Sequence, residues 1–174
     1  MTAPEGREPR PGALTGAQRR RAEEHQTDQD RTLLAMQQLE AALGAAAPRR
    51  EQAWRDQVRT ALGVLGEAAR EEADNARQPD SLLSDIARTQ PWLRNRVRGL
   101  RIHYGQLRNS IAALHGELDA AAGPVVDFTD IRQRLAWVLA GLRHQRARES
   151  DLIYEAYYDA FQSDLTQDTG RPAS

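Results

Sequence analysis

Two glutamates fall on apolar helical faces, where a carboxylate has to find a partner. Glu149 lies seven residues after Leu142 and seven before Ala156, and Glu72 lies seven residues after Leu65. Seven residues are nearly two helical turns, so both acids are predicted to point into a core. An unpaired buried charge either costs several kcal/mol, as an order of magnitude, or is removed by protonation. Each acid therefore needs a metal ion, a cationic side chain or a proton, and its partner defines the chemistry.

The elements that position these acids are predicted to be long helices. Apolar residues recur at spacings of three and four over about 19–46, 50–76, 91–123 and from Phe128 onward. A short helical piece, SLLSDIART, ends before Pro91 because proline disfavours helical geometry in the preceding residue. No segment alternates apolar and polar residues as a strand would, so the predicted fold class is all-α. The brief connections favour an antiparallel up-down four-helix bundle over 19–165, with flexible tails at 1–18 and 166–174.

Composition excludes several classes of function. The 174 residues suit one domain, and a net charge of -1 gives no field that would attract nucleic acid. All 24 basic residues are arginine, and there is no cysteine to form a disulfide, a thiolate metal site or a nucleophile. Neither a membrane span nor a signal sequence is visible, so we expect a cytoplasmic protein that does not enter a membrane. No phosphate-binding loop or nucleophile motif of the known hydrolases occurs.

The polar residues on the helical faces are predicted to meet in one layer. In an antiparallel pair, residues equally far from the connecting loop lie at the same height. Counting from the turn near Gly123 places His103 level with Gln145 and Glu149, and counting from the turn near Ala47 places Glu72 level with the low twenties. The predicted layer contains His25, Ala68, Glu72, His103, Gln145 and Glu149.

Three of the predicted helices carry polar residues in a recurring arrangement. In the fourth, LAGLRHQRARESDLIYEAY places Gln145 four residues before Glu149. In the second, VLGEAAREEADNA places Ala68 four residues before Glu72, and in the third, VRGLRIHYGQL carries His103.

From about residue 25 to 160 this arrangement resembles the hemerythrin-like family. Bundles of that family usually carry one histidine on the first helix, His-x-x-x-Glu on the second, one histidine on the third and His-x-x-x-Glu on the fourth. In this chain Gln145 and Ala68 stand at two of the histidine positions, and Asp28 or Gln29 compete with His25 on the first helix. The resemblance implies a metal site built from Glu72, His103, Glu149 and His25.

Three kinds of partner would satisfy the two acids. An iron or manganese ion suits a set of carboxylate and imidazole ligands. Arg146 follows Gln145 on the inner face and could form a bidentate ion pair that replaces a metal. Alternatively, one acid is protonated and hydrogen-bonded to Gln145 or His103.

We expect the metal-free arrangements, because a site that has lost imidazoles loses affinity for metal. The predicted protein then has no cofactor and acts in binding or regulation, with Gln145, Arg146 and Ala68 in its polar core layer. The alternative is an iron protein that senses oxygen, nitric oxide or iron, and a small oxidase or peroxidase is the third possibility. Trp137 and His144 fall on the outer face of the fourth helix, where Trp137 would suit a homodimer contact.

Overall fold

All regular structure in the described part of the chain is helical. The computed structural model describes residues 14–45, 49–120 and 127–158. Its helices are α1 (Gly16–Gly44), α2 (Glu51–Asn75), α3 (Leu82–Thr89), α4 (Arg94–Ala120) and α5 (Phe128–Ala156), and a 3-10 turn at Pro91–Leu93 leads into α4. The all-α prediction is confirmed, since these ranges contain no strand. The predicted C-terminal tail, 166–174, and residues 1–13 of the predicted N-terminal tail lie outside the described residues.

Local side-chain caps set the helix starts. Thr15 caps α1 by accepting a hydrogen bond from the backbone N–H of Gln18, whose side chain in turn accepts one from the backbone N–H of Thr15. This capping box starts α1 at Gly16, three residues earlier than predicted. Asp127 caps α5, and Ser81 caps α3. The starts of α1, α3 and α5 therefore follow from short-range chemistry, whereas α2 begins without a side-chain cap.

The buried residues form two apolar clusters with polar residues between them. The first apolar cluster includes Met36, Leu39, Leu62, Leu65, Ile111 and Leu135. The second apolar cluster includes Leu83, Ile86, Leu93, Leu100 and Leu152. Along α2, Ala69 belongs to the first cluster and Ala73 to the second, with Glu72 between them. Along α5, Leu142 and Leu152 belong to different clusters, with Gln145 and Glu149 between them.

Side-chain contacts identify which helices are neighbours. Asp28 on α1 contacts Asn75 on α2, while Thr32, further along α1, contacts Glu72, which lies earlier on α2. The same reversed order holds from α2 to α4, from α4 to α5 and from α5 to α1. The contacts are Arg59–Asp119 and Ala76–Arg101, then Arg96–Glu155 and Glu117–Arg134, then Arg132–Ala45 and Arg146–Gln29.

The surface exposes two tryptophans. Trp137 is 73% exposed and Trp92 is 70% exposed. His144 is exposed as well, so the prediction that Trp137 and His144 face outward is confirmed. Across the described ranges, no helix combines the length and the apolar character needed to cross a membrane.

Candidate functional site

The two inward-pointing acids meet around one tyrosine. Glu72 and Glu149 are 4% and 0% exposed, so both are buried as their spacing predicts. The hydroxyl of Tyr104 on α4 lies 2.9 Å from Oε1 of Glu72. It lies 2.9 and 2.8 Å from Oε1 and Oε2 of Glu149. Helices α2, α4 and α5 thus each supply one member of a hydrogen-bonded group between the apolar clusters.

Helix α1 supplies two further hydrogen-bond donors. Oγ1 of Thr32 lies 2.5 Å from Oε2 of Glu72, and Nε2 of Gln29 donates to Oε2 of Glu149 at 2.9 Å. Gln29 was one of the first-helix alternatives, whereas sequence reasoning missed Thr32. Thr32 lies seven residues before Leu39, and that register could have identified it. We refer to Gln29, Thr32, Glu72, Tyr104 and Glu149, together with His25, as the polar layer.

His25 also faces the polar layer. Its side chain is 10% exposed, and Nε2 lies 3.4 Å from Oε1 of Glu149. Nε2 of His25 makes no hydrogen bond to the carboxylate, and the contact is an ion pair when the imidazole is protonated. Burial lowers the pKa of His25, but the carboxylate of Glu149, with smaller contributions from Glu72 and Asp28, outweighs burial and raises the pKa above 6.5. Asp28 itself accepts a hydrogen bond from Asn75 at 2.9 Å, so of the three first-helix candidates it alone lies outside the layer.

His103 does not reach the polar layer. Its Nδ1 lies 3.4 Å from Oε1 of Gln106, and no contact joins His103 to either acid in the described part of the chain. Tyr104 takes the inward position because it is in register with Val97 and Ile111, each 1% exposed and seven residues away. The predicted role of His103 in the layer is therefore wrong by one residue.

Arg146 does not form the predicted ion pair. Its Nη1 donates to the backbone carbonyl of Gln29 at 2.5 Å, and it makes no ion pair with either buried acid. Gln145 is buried as predicted, but its Nε2 donates to the carbonyl of Leu100 at 3.3 Å instead of to Glu149. Ala68 belongs to the first apolar cluster and contributes nothing polar.

The number of protons in the polar layer limits which of its groups can donate hydrogen bonds. A phenol has one proton, yet the hydroxyl of Tyr104 contacts both acids. Burial, reinforced by the charge of Glu149, raises the pKa of Glu72, although the Thr32 and Tyr104 hydroxyls oppose the shift. Burial and the two nearby carboxylates raise the pKa of Tyr104 well above 10, so the phenol keeps its proton.

One arrangement gives every close contact a proton. Every contact of the phenol has a proton if Glu72, the acid whose pKa burial raises, is neutral and donates to the oxygen of Tyr104 while Tyr104 donates to Glu149. The hydroxyl of Thr32 donates to the second oxygen of Glu72, and the cation of His25 balances Glu149. The layer then has no net charge, which removes most of the cost of burying two acids.

Asp85 is a third buried acid, which sequence reasoning did not identify. It is 3% exposed and lies within 3.2 Å of Arg21 and 2.5 Å of Arg88. The hydroxyl of Tyr157 donates to it at 3.1 Å. The eight residues of α3 give too short a pattern for a reliable inward face. Asp85 is therefore paired with Arg21 of α1 and Arg88 of α3, and its contact with Tyr157 connects both helices to the end of α5.

The residues of the polar layer do not fit an iron centre of the hemerythrin-like kind. Gln145 and Ala68 stand at two positions where that kind of centre would require imidazoles, His103 lies outside the layer, and the oxygens of Glu72 and Glu149 are engaged by side-chain donors. In the described part of the chain, no group of three or more histidine, cysteine, aspartate or glutamate side chains is arranged to hold a metal ion. Comparisons with protein-family models, with curated proteins and with solved structures gave no match to this chain.

Proposed function

We propose that the chain is an antiparallel up-down four-helix bundle that resembles hemerythrin-like proteins. The reversed order of side-chain contacts supports this arrangement, because residue numbers rise along one helix as they fall along its neighbour. The reversal occurs between α1 and α2, α2 and α4, α4 and α5, and α5 and α1. The short helix α3 lies in the connection between α2 and α4.

In this bundle the polar layer takes the place of a metal centre, and the protein acts in binding or regulation. The observation that carries this proposal is the Tyr104 hydroxyl, which lies within 2.9 Å of both Glu72 and Glu149. A shared proton and a histidine cation satisfy the acids as a metal ion otherwise would. Both acids are buried and engaged, so neither is presented to a substrate as a general acid or base.

Metal analysis of protein purified from iron-supplemented cells tests this function. We expect substoichiometric iron and no charge-transfer absorption band in the wild-type protein. Glu149→Ala is expected to leave this metal content unchanged while it lowers stability, because it removes the acceptor for Tyr104 and Gln29. His144→Ala, at an exposed position on the same helix, is the matched control.

Stoichiometric iron that Glu149→Ala abolishes and His144→Ala retains would overturn the proposal. That result would support the alternative, an iron-binding sensor with a carboxylate-rich site.

A further inference from the structure

The first half of α1 presents a polar inner face. Gln18, Arg21, His25, Gln29 and Thr32 recur at spacings of three and four and face the rest of the molecule. In α1 no apolar side chain before Ala35 is buried, and the buried apolar run Ala35, Met36 and Leu39 lies entirely in the second half. The two halves of one helix are therefore held by different forces.

The second apolar cluster depends little on α1. Its buried members come from α2, α3, α4, α5 and the residues that flank them. Among the described residues, the chain around α1 contributes only Leu14 and Ala22 to it, both partly buried. This half of α1 therefore buries few apolar side chains of its own, so their hydrophobic burial does little to hold it.

Polar contacts fasten the first half of α1 instead. Arg21 and Gln18 reach Asp85 at 3.2 and 3.4 Å, and His25 and Gln29 reach Glu149 at 3.4 and 2.9 Å. Water can replace such contacts at a small net cost, whereas it cannot replace apolar packing.

A cleft accompanies these contacts. Its volume is about 380 Å³, and it lies between Arg21–Asp28 of α1 and the connection from α2 to α3, where Asn75, Gln78 and Asp80 line it. The first half of α1 is thus not closely packed against this connection.

We propose that residues Gly16–Arg31 open from the bundle as one unit, with a hinge between Thr32 and Ala35. Opening withdraws His25 and Gln29 from Glu149 and exposes Glu149 and Tyr104 to solvent. The first half of α1 is then a cover that controls access to the polar layer. This inference rests on the contacts of α1 and holds whether or not the layer ever binds a metal ion.

Hydrogen exchange of the full wild-type chain tests the opening. After correction for intrinsic rates, we expect the amides of Gly16–Arg31 to exchange at least about tenfold faster than those of Ala35–Gly44. They should share one rate, with a step near Ala35, because a detached helix of about this length is only marginally stable in water and loses its backbone hydrogen bonds as a unit. Equal protection in the two halves would overturn the proposal, and so would a gradual decline in rate from Gly16 inward, which indicates end fraying.

A matched pair of variants tests the contacts that hold the segment. Arg21→Gln removes the ion pair with Asp85 and is expected to accelerate exchange of Gly16–Arg31 several-fold, leaving Ala35–Gly44 unchanged. Arg20→Gln removes the same charge from an exposed neighbouring position and should change neither half. Equal acceleration of both halves by Arg21→Gln, or no acceleration at all, would overturn the proposal.

Discussion

Replacing each buried acid by its amide separates the two roles that the proton count assigns to them. A glutamine at position 72 can donate an N–H to the oxygen of Tyr104 and accept from Thr32, as the neutral acid does. We therefore expect Glu72→Gln to change the free energy of unfolding by less than about 1 kcal/mol near pH 4.5, and to be the more stable protein at higher pH, where only the wild-type acid has to take up a proton on folding.

The same replacement at position 149 should be far more damaging. Glu149 accepts from Tyr104 and Gln29 and faces His25, so an amide there removes the anion and, in either orientation, places an N–H where an oxygen now faces either Gln29 or His25. Breaking a buried charge pair on one side costs on the order of 3 to 5 kcal/mol. The two substitutions are chemically identical, so the contrast between them reports the protonation of the layer.

The pH dependence of the free energy of unfolding tests the protonation of Glu72 independently. Burial raises the pKa of Glu72 above 4.5 in the folded protein, so its contribution is fully present below 4.5 and is lost as pH rises through the raised pKa. Across that window the wild-type protein should lose up to about 1.4 kcal/mol per pH unit relative to Glu72→Gln.

Urea denaturation followed by circular dichroism, repeated from acidic to neutral pH, measures both effects. Equal costs for Glu72→Gln and Glu149→Gln at neutral pH would refute the proton count. Parallel pH profiles for the wild-type protein and Glu72→Gln would also refute it.

Three further substitutions test individual contacts by the same denaturation assay. Tyr104→Phe should cost on the order of 3 kcal/mol because it leaves both acids without the hydroxyl, whereas His103→Ala should stay within about 0.5 kcal/mol. Equal costs for these two would contradict the assignment of Tyr104 to the layer. For His25, whose pKa is raised above 6.5, the stabilisation is present below 6.5 and is lost as pH rises through the raised pKa. The stability difference between the wild-type protein and His25→Gln should therefore shrink above 6.5, and a pH-independent difference would exclude the ion pair. Arg146→Met should cost about 1 kcal/mol, the value of a hydrogen bond to a carbonyl, and a loss near 3 kcal/mol would restore a charge-pair role.

The sequence by itself determined the helices and the burial of the two acids. Apolar spacing is a local property, so it predicted the helical stretches and placed Glu72 and Glu149 on inner faces. Pro91 marked a boundary for the same reason, because a proline acts on the residue immediately before it.

Only the tertiary structure decided which polar side chains meet the acids. His103 lies near the edge of the apolar face of α4, whereas Tyr104, about 100° around the helix, lies within that face in register with Val97 and Ile111. The rotation of a helix about its own axis depends on packing against its neighbours, which no local pattern contains. The rotation of α5 directs Arg146 to a backbone carbonyl of α1 and not to Glu149. The rotation of α1 brings Thr32 against Glu72. Spacing along the chain therefore fixed how far each residue lies along its helix, while packing between helices fixed the direction in which it points.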